Sequence, residues 1–154
     1  MKRSEILENR KKVVAYLQKP HLKKAKGSLR DNKGGRCCLG HMCDALEIKY
    51  VKEGGEYLYG ADREEENAPE ELMLALGLHT SLGGFDASLG WHDGNKGRTI
   101  VRSREFTVDK VPSVNLAELN DRRKISTKRI GEYLECVING GKMTPFKHLT
   151  CYEE

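Results

Sequence analysis

The stretch RCCLGHMCDAL, from Arg36 to Leu46, holds three of the five cysteines of the chain and one of its histidines. Its apolar residues recur at the i, i+3, i+4, i+7 spacing of one helix face: Leu39, Met42, Cys43 and Leu46. The pattern predicts a helix that begins near Cys37 or Cys38. We expect this face to point into the hydrophobic core.

The residues before this stretch predict a helix and a loop. Residues 4–18 carry apolar positions at helical spacing, with Ser4 as a candidate cap and Pro20 just beyond the end. Residues 19–36 mix Lys, Gly, Asp and Asn without a period, which is typical of a loop. Within that loop, residues 28–30 are candidates for a short extended segment.

The residues after this stretch predict short strands and two further helices. Residues 49–52 and 56–59 predict a hairpin around Gly54-Gly55, and a helix follows that opens at Pro69 and ends at Gly77. Beyond it the sequence predicts a glycine-rich loop over 78–97, one or two strands over 98–108, and an amphipathic helix from Ser126 or Thr127 to about Ile138. The fold class is therefore α+β. We expect a single compact domain over 1–154, with three to four helices, a small antiparallel sheet, and a basic N-terminal helix and loop over 1–36.

Charge is distributed unevenly along the chain. Residues 1–36 hold twelve Lys or Arg against three acidic residues, a net charge of +9, so the rest carries −5 because the total is +4. Such asymmetry favours contact with an anionic partner such as a nucleotide, a nucleic acid or an acidic protein. The alternative is a solvated helix face followed by a flexible lysine-rich loop.

Composition excludes several classes of protein. No apolar run approaches the ~20 residues that span a bilayer, and the basic N-terminus is not followed by the apolar segment of a signal peptide. We therefore expect a soluble cytoplasmic protein with no membrane partner. Five cysteines in a reducing compartment are expected to be free thiols.

The cysteines allow a metal site, a nucleophile or a packing role. Cys37 and His41 lie one turn apart, but the sequence has no second pair at zinc-ligand spacing, so we expect no metal and no cofactor. A nucleophile at Cys38 or Cys37 would gain acidity from the helix N-terminus. It would also need a base, and the candidates are His79 and His92. The third possibility, small apolar thiols that pack the start of a buried helix, is the one we favour.

Four polar residues form a candidate ligand site. Asn120 and Asp121 follow an apolar pair in the sequence LAELND, and they can cap backbone groups or hold a polar ligand. Asp44 lies next to an apolar helix position and needs a partner, which Arg30 or Arg36 can supply. If Arg30, Asp44, Asn120 and Asp121 converge, they form a polar pocket at the start of the cysteine helix.

Direct signals for nucleic-acid binding are weak. Arg98, Arg102 and Arg104 share one face if 98–104 is an unbroken strand, and such a row can bind phosphates or simply face solvent. The sequence contains no P-loop, zinc-finger or helix-turn-helix pattern and no aromatic residues interleaved with basic ones. Nucleic-acid binding through residues 1–36 stays open as an alternative.

Two motifs resemble a known group of proteins. CCLGxxCD at 37–44 and LND at 119–121, together with the helix that opens at Pro69, resemble small, uncharacterised bacteriophage-encoded proteins that share a CCLGxxCD…LND pattern. The resemblance implies a viral accessory protein made in a bacterial cytoplasm and implies no reaction. Residues 122–124 (RRK) depart from the smaller polar residues expected after LND, which gives this chain a cationic rim there.

Taken together, the sequence predicts a non-enzymatic binder of an anionic partner, with Arg30, Asp44, Asn120 and Asp121 as its ligand-binding residues. The partner is a nucleotide-type signal or a host protein, and a counter-defence role would fit either. A cysteine-dependent hydrolase or transferase and a nucleic-acid-binding protein are the alternatives. A homo-oligomer is compatible with the sequence.

Overall fold

The computed structural model of the chain describes residues 3–78, 83–86, 113–121 and 125–138. These residues form an α+β fold, as predicted. Its elements in chain order are α1 (Arg3–Leu17), α2 (Cys38–Ala45), β1 (Tyr50–Glu53), β2 (Glu56–Tyr59), α3 (Glu70–Leu76), β3 (Gly84–Asp86), β4 (Ser113–Asn115), α4 (Leu116–Asp121) and α5 (Thr127–Ile138). The strands form two separate antiparallel pairs, β1–β2 and β3–β4.

Helix α1 is the centre of the packing, since α2, α3 and α5 all contact it. Its apolar residues Val13, Val14 and Leu17 are buried, which confirms the predicted helix and its core-facing side. The helix includes Ser4 in its first turn, so Ser4 lies inside it instead of capping it.

Arg10 joins α1 to α3 in a way that the periodicity did not predict. Its side chain is only 2% exposed, and its Nε donates a hydrogen bond of 2.8 Å to the carbonyl of Leu76. Asn9 donates in the same way to the carbonyl of Ala75, at 3.1 Å. These two side chains satisfy carbonyls at the end of α3, where a cation is also favoured by the helix dipole.

The helix and the hairpin predicted around the cysteine stretch are confirmed. Helix α2 begins at Cys38 after Cys37 as its N-cap. Strands β1 and β2 pair with Tyr50 opposite Tyr59 across the turn at Gly54-Gly55. Both glycines have positive φ, 57° and 81°, the conformation that a two-residue hairpin turn requires.

Helices α3 and α5 are also confirmed. Helix α3 follows Pro69 as its N-cap and stops at Gly77, which is left-handed with φ 67°. The hydroxyl of Ser126 accepts a hydrogen bond of 3.0 Å from the backbone N–H of Arg129 and so caps α5. The apolar residues Ile130, Tyr133 and Leu134 of this predicted amphipathic helix are buried.

The prediction of a loop over 78–97 is wrong at residues 84–86. This segment is β3, and Phe85 pairs with Val114 of β4 in an antiparallel register. The pairing joins segments about thirty residues apart, so it comes from tertiary structure that local composition does not show. Residues 116–121 form helix α4 in their own right directly after β4. The predicted strands at 98–108 lie outside the described residues.

Candidate functional site

Residues 19–36, called the lysine loop below, form a fixed loop instead of a flexible one. The backbone of Ala25 donates to the carbonyl of Arg36 at 2.9 Å, and the backbone of Arg36 donates to the carbonyl of Lys23 at 2.9 Å. Leu29 is fully buried, and its N–H donates to the carbonyl of Glu65 at 2.7 Å. The backbones of Arg30 and Arg36 form an isolated antiparallel β-bridge, so the predicted extended segment at 28–30 pairs with the end of the same loop.

Asn120 joins the lysine loop to the start of α2. Its Oδ1 accepts a hydrogen bond of 2.9 Å from the backbone N–H of Cys38, and its Nδ2 donates to the carbonyl of Ala25 at 2.8 Å. The side chain is fully buried. Because the amide bonds to two backbone groups that would otherwise be buried without partners, Asn120 acts as a structural clamp.

Gly40 makes the close approach of the lysine loop to α2 possible. A Cβ atom at this position would overlap the carbonyl oxygen of Leu29 and would lie 3.2 Å from the Cβ of Arg36. Any side chain at residue 40 therefore collides with the backbone of the loop. This contact gives a physical reason for the glycine in the CCLG motif.

The three thiols of the cysteine stretch are buried and free of disulfides. Burial raises the pKa of Cys37 to about 11, and it raises the pKa of Cys38 and of Cys43 as well. The Sγ of Cys38 donates to the carbonyl of Leu116 at 3.2 Å, and the Sγ of Cys37 accepts from the N–H of Gly40 at 3.4 Å. Desolvation therefore outweighs the helix N-terminus, and both thiols stay protonated at neutral pH.

His41 is buried beside the lysine loop. Its side chain is 2% exposed, and Nε2 lies 3.0 Å from the carbonyl of Lys23. Burial lowers the pKa of His41, so the ring is neutral and Nε2 carries the proton that this carbonyl accepts. The ring lies against Tyr16, with 6.1 Å between the ring centroids. The proposed bases His79 and His92 lie outside the described residues.

Arg30 and Asp44, two of the four predicted ligand residues, meet through Tyr59. The hydroxyl of Tyr59 donates to Oδ1 of Asp44 at 2.9 Å, and the same residue interacts with the side chain of Arg30. Arg36 forms an ion pair with the carboxylate of Asp44. Of the two predicted partners of Asp44, Arg36 is therefore the one that contacts it directly. Burial and the Asp44 carboxylate both raise the pKa of Tyr59, which keeps its hydroxyl a donor.

Asn120 and Asp121 lie apart from this group, at the start of α2. Asp121 is exposed, and its charge acts on Lys24, Cys37 and Cys38. The ammonium of Lys24 donates to the carbonyl of Ile125 at 2.7 Å, and burial lowers the pKa of Lys24. The four predicted residues therefore form two groups, one around Tyr59 and one around the α2 N-terminus.

The tyrosines of the hairpin are the residues that the sequence analysis missed. The guanidinium carbon of Arg30 lies 4.6 Å from the ring centroid of Tyr50 and 4.4 Å from that of Tyr57. Tyr50, Tyr57 and Tyr59 share one face of the hairpin because the register places Tyr50 opposite Tyr59. The sequence did contain a signal for this tyrosine face. Tyr57 and Tyr59 are two residues apart in a predicted strand, and the predicted turn at Gly54-Gly55 places Tyr50 opposite Tyr59.

Two concave regions adjoin this part of the molecule. A cavity of ≈ 350 Å³ is lined by Asp44, Glu47, Ile48, Lys49 and Tyr50. A second cavity of ≈ 520 Å³ shares Lys49 and Tyr50 and extends over the other side of the hairpin to Leu58 and Glu71. Both volumes fall within the range of small-ligand sites.

The outer side of the lysine loop is strongly cationic. Its exposed charged side chains are Lys19, Lys23, Lys26 and Lys33, and the ammonium of Lys23 also donates to the carbonyl of Lys33 at 2.5 Å. The one acidic residue in 19–36, Asp31, turns to the loop itself and accepts from the backbone N–H groups of Lys33 and Gly35, both at 2.8 Å. These backbone hydrogen bonds and nearby lysines lower the pKa of Asp31.

Other predicted features are tested only in part. Within the ranges that the structure describes, no group of three or more His, Cys, Asp or Glu side chains is placed to hold a metal ion. In the same ranges no helix has the length and apolar character needed to cross a membrane. The row Arg98, Arg102 and Arg104 lies outside these ranges.

Comparisons with protein-family models, with curated proteins and with solved structures find no match.

Proposed function

We propose that the chain is a non-enzymatic binding protein, encoded by a bacteriophage, whose lysine loop contacts an anionic partner in the bacterial cytoplasm. The phage origin depends on the CCLGxxCD…LND resemblance. The observation that carries the binding role is the fixed display of four exposed lysines on a loop whose single acidic residue is engaged by its own backbone. The partner is a nucleotide-type signal or an acidic surface of a host protein.

The geometry of the loop favours recognition. Asn120, Gly40 and the buried Leu29 hold the loop in place from its inner side, so the lysines need little ordering when a partner binds. Clustered positive charge raises the local concentration of an anion and accelerates its association.

Calorimetric titration with nucleoside triphosphates and cyclic dinucleotides tests the nucleotide form of the proposal. We expect binding to wild type and loss of binding in the triple variant Lys23→Glu, Lys26→Glu and Lys33→Glu. The matched control makes the same change of charge outside the loop, at Lys11, Lys12 and Lys128, which are also exposed. Equal loss in both triple variants, or no heat with any nucleotide at high micromolar concentration, contradicts this form.

The host-protein form is tested with the same variants. A partner captured from a bacterial lysate by wild type and by the control triple variant, but not by the loop variant, supports it. If neither nucleotides nor host proteins distinguish the loop variant from the control, the lysine loop is not a recognition surface.

A cysteine-dependent enzyme is the weaker alternative. Cys37 and Cys38 are buried and their pKa values are raised, which is the opposite of an activated nucleophile. Alkylation of the native protein, followed by peptide mass spectrometry, measures each thiol separately. We expect both residues to react far more slowly than free cysteine, and faster labelling of either would favour the enzyme.

Nucleic-acid binding through residues 1–36 is the second alternative, and it uses the same exposed lysines. It predicts an affinity that falls steeply with salt concentration and a gel shift with both single and double strands. An absent or salt-insensitive gel shift excludes it.

A further inference from the structure

Among the described residues, strand β1 forms an open edge of the hairpin. All four of its residues are exposed, including Tyr50 at 41% and Val51 at 48%. Within the described residues its only strand partner is β2, in a two-stranded sheet. An exposed edge of this kind can pair with a further strand through its free backbone groups.

The register shows which backbone groups are free. The two-residue turn makes Glu53 and Glu56 a hydrogen-bonded pair, and the N–H of Gly60 donates to the carbonyl of Lys49 at 2.9 Å. Because hydrogen-bonded and non-bonded pairs alternate, Val51 bonds to Leu58, whereas the N–H and C=O groups of Tyr50 and Lys52 point away from β2.

The edge is complementary to a second copy of itself. When two β1 strands run antiparallel with Val51 opposite Val51, Tyr50 of each copy faces Lys52 of the other, and their outward groups form four backbone hydrogen bonds. In this register Lys49 of each copy faces Glu53 of the other, so two pairs of opposite charge form. Glu53 already pairs with Arg63, which leaves its second carboxylate oxygen for Lys49.

Other registers that use the same backbone groups are less favourable. A shift that places Lys52 opposite Lys52 brings like charges together, and a shift that places Tyr50 opposite Tyr50 removes the contact between Lys49 and Glu53. Lysines on an edge strand usually prevent uncontrolled pairing between strands. Of the three registers compared, only the one with Val51 opposite Val51 places Lys49 and Lys52 away from like charges and keeps the contact between Lys49 and Glu53.

We propose that a second copy of this chain binds along β1 in this register, so that two hairpins form a four-stranded antiparallel sheet. Four hydrogen bonds, two charge pairs and one contact between valines form a small interface, so the dimer is weak and depends on concentration. The dimer would present two lysine loops, but the proposal does not depend on what those loops bind.

Sedimentation velocity over a wide range of protein concentration tests the proposal. We expect reversible dimerisation of wild type and a dimer affinity weakened roughly tenfold or more by Lys49→Glu, because two carboxylates then face each other where Lys49 met Glu53. Lys49→Glu leaves the ion pair between Arg63 and Glu53 in place. The triple variant Lys49→Glu, Glu53→Lys, Arg63→Glu exchanges the two charges and keeps an opposite charge beside residue 53 within the hairpin, so it should restore the dimer. Lys12→Glu on α1 should leave the wild-type dimer unchanged.

Amide hydrogen exchange gives a second measurement at individual residues. Protection of the Tyr50 and Lys52 amides should rise with protein concentration, whereas the Val51 amide should be protected at every concentration because it bonds within the hairpin. A monomer throughout the series overturns the proposal. So does a dimer whose affinity is unchanged by Lys49→Glu, or a triple variant whose dimer is as weak as that of Lys49→Glu alone.

Discussion

The inner and outer sides of the lysine loop differ in what their residues do. On the inner side, Leu29 and the carbonyl of Ala25 pack and bond against α2 and Asn120, and every one of these contacts is buried. On the outer side, Lys23, Lys26 and Lys33 are exposed. The tandem cysteines and Asn120, which suggest chemistry in the sequence, build the buried inner side. The charged side chains on the outer side are lysines.

The largest effect is expected at Gly40. Gly40→Ala places a Cβ atom on the carbonyl oxygen of Leu29, so the loop must leave α2. We expect a loss of about 3 kcal/mol or more in the free energy of unfolding, measured by urea denaturation. An alanine in a helix without such a contact gains up to about 1 kcal/mol over glycine, so equal or greater stability of the variant would disprove the close approach.

Asn120→Ala should have the next largest effect. The variant leaves the N–H of Cys38 and the carbonyl of Ala25 buried without partners and removes a packed side chain, so we expect a loss of about 2–4 kcal/mol in the free energy of unfolding. The neighbouring Asp121 is exposed, and Asp121→Ala should change the free energy by no more than about 0.5 kcal/mol. Similar losses at both positions would mean that Asn120 is not a clamp.

Local sequence signals predicted the elements around the inner side well. The apolar spacing of Leu39, Met42 and Cys43 placed α2, and the Gly54-Gly55 turn placed the hairpin, because each signal lies within a few residues of the element it specifies. The pairing of β3 with β4 was missed because its two strands are far apart in the sequence. Distance in the chain, more than composition, separates what could be predicted from what could not.

The candidate site shows the same division. The sequence predicted that Asp44 needs a partner, with Arg30 or Arg36 to supply it, and that Asn120 caps backbone groups or holds a ligand. In the structure Asp44 bonds to Tyr59 and pairs with Arg36, and Asn120 bonds to backbone groups. The sequence did not decide between the two roles of Asn120, nor did it predict that Tyr59 lies between Arg30 and Asp44. Which side chain meets which group depends on tertiary packing, and a single sequence carries little information about it.

A smaller effect, confined to acidic pH, is expected from His41. Burial lowers its pKa, so below the unfolded-state value of about 6.5 the unfolded chain binds a proton that the folded chain excludes. The free energy of unfolding should therefore fall as the pH drops below that value. The hydrogen bond to the carbonyl of Lys23 and the charge of Asp44 favour protonation and Arg36 opposes it, but burial is the largest influence on the pKa.

The variant His41→Leu sharpens this prediction. Leucine cannot titrate, so the dependence of the unfolding free energy on pH between about 5 and 7 should become flatter than in wild type. Chemical denaturation at a series of pH values measures both slopes. Equal slopes in the two proteins would show that His41 is accessible to protons in the folded chain.

The smallest effect concerns Tyr59, which lies where the two sides of the loop meet. Tyr59→Phe keeps the buried ring but removes the hydroxyl that donates to Asp44, while the ion pair between Asp44 and Arg36 stays. Because Asp44 is partly exposed and keeps one partner, we expect a loss of about 1 kcal/mol in the free energy of unfolding. Tyr57→Phe is the matched control, since the ring stays over Arg30, and it should be close to neutral. If the two variants lose the same stability, the hydrogen bond from Tyr59 to Asp44 contributes no more than an exposed tyrosine hydroxyl does, and the ion pair with Arg36 is the contact that holds Asp44.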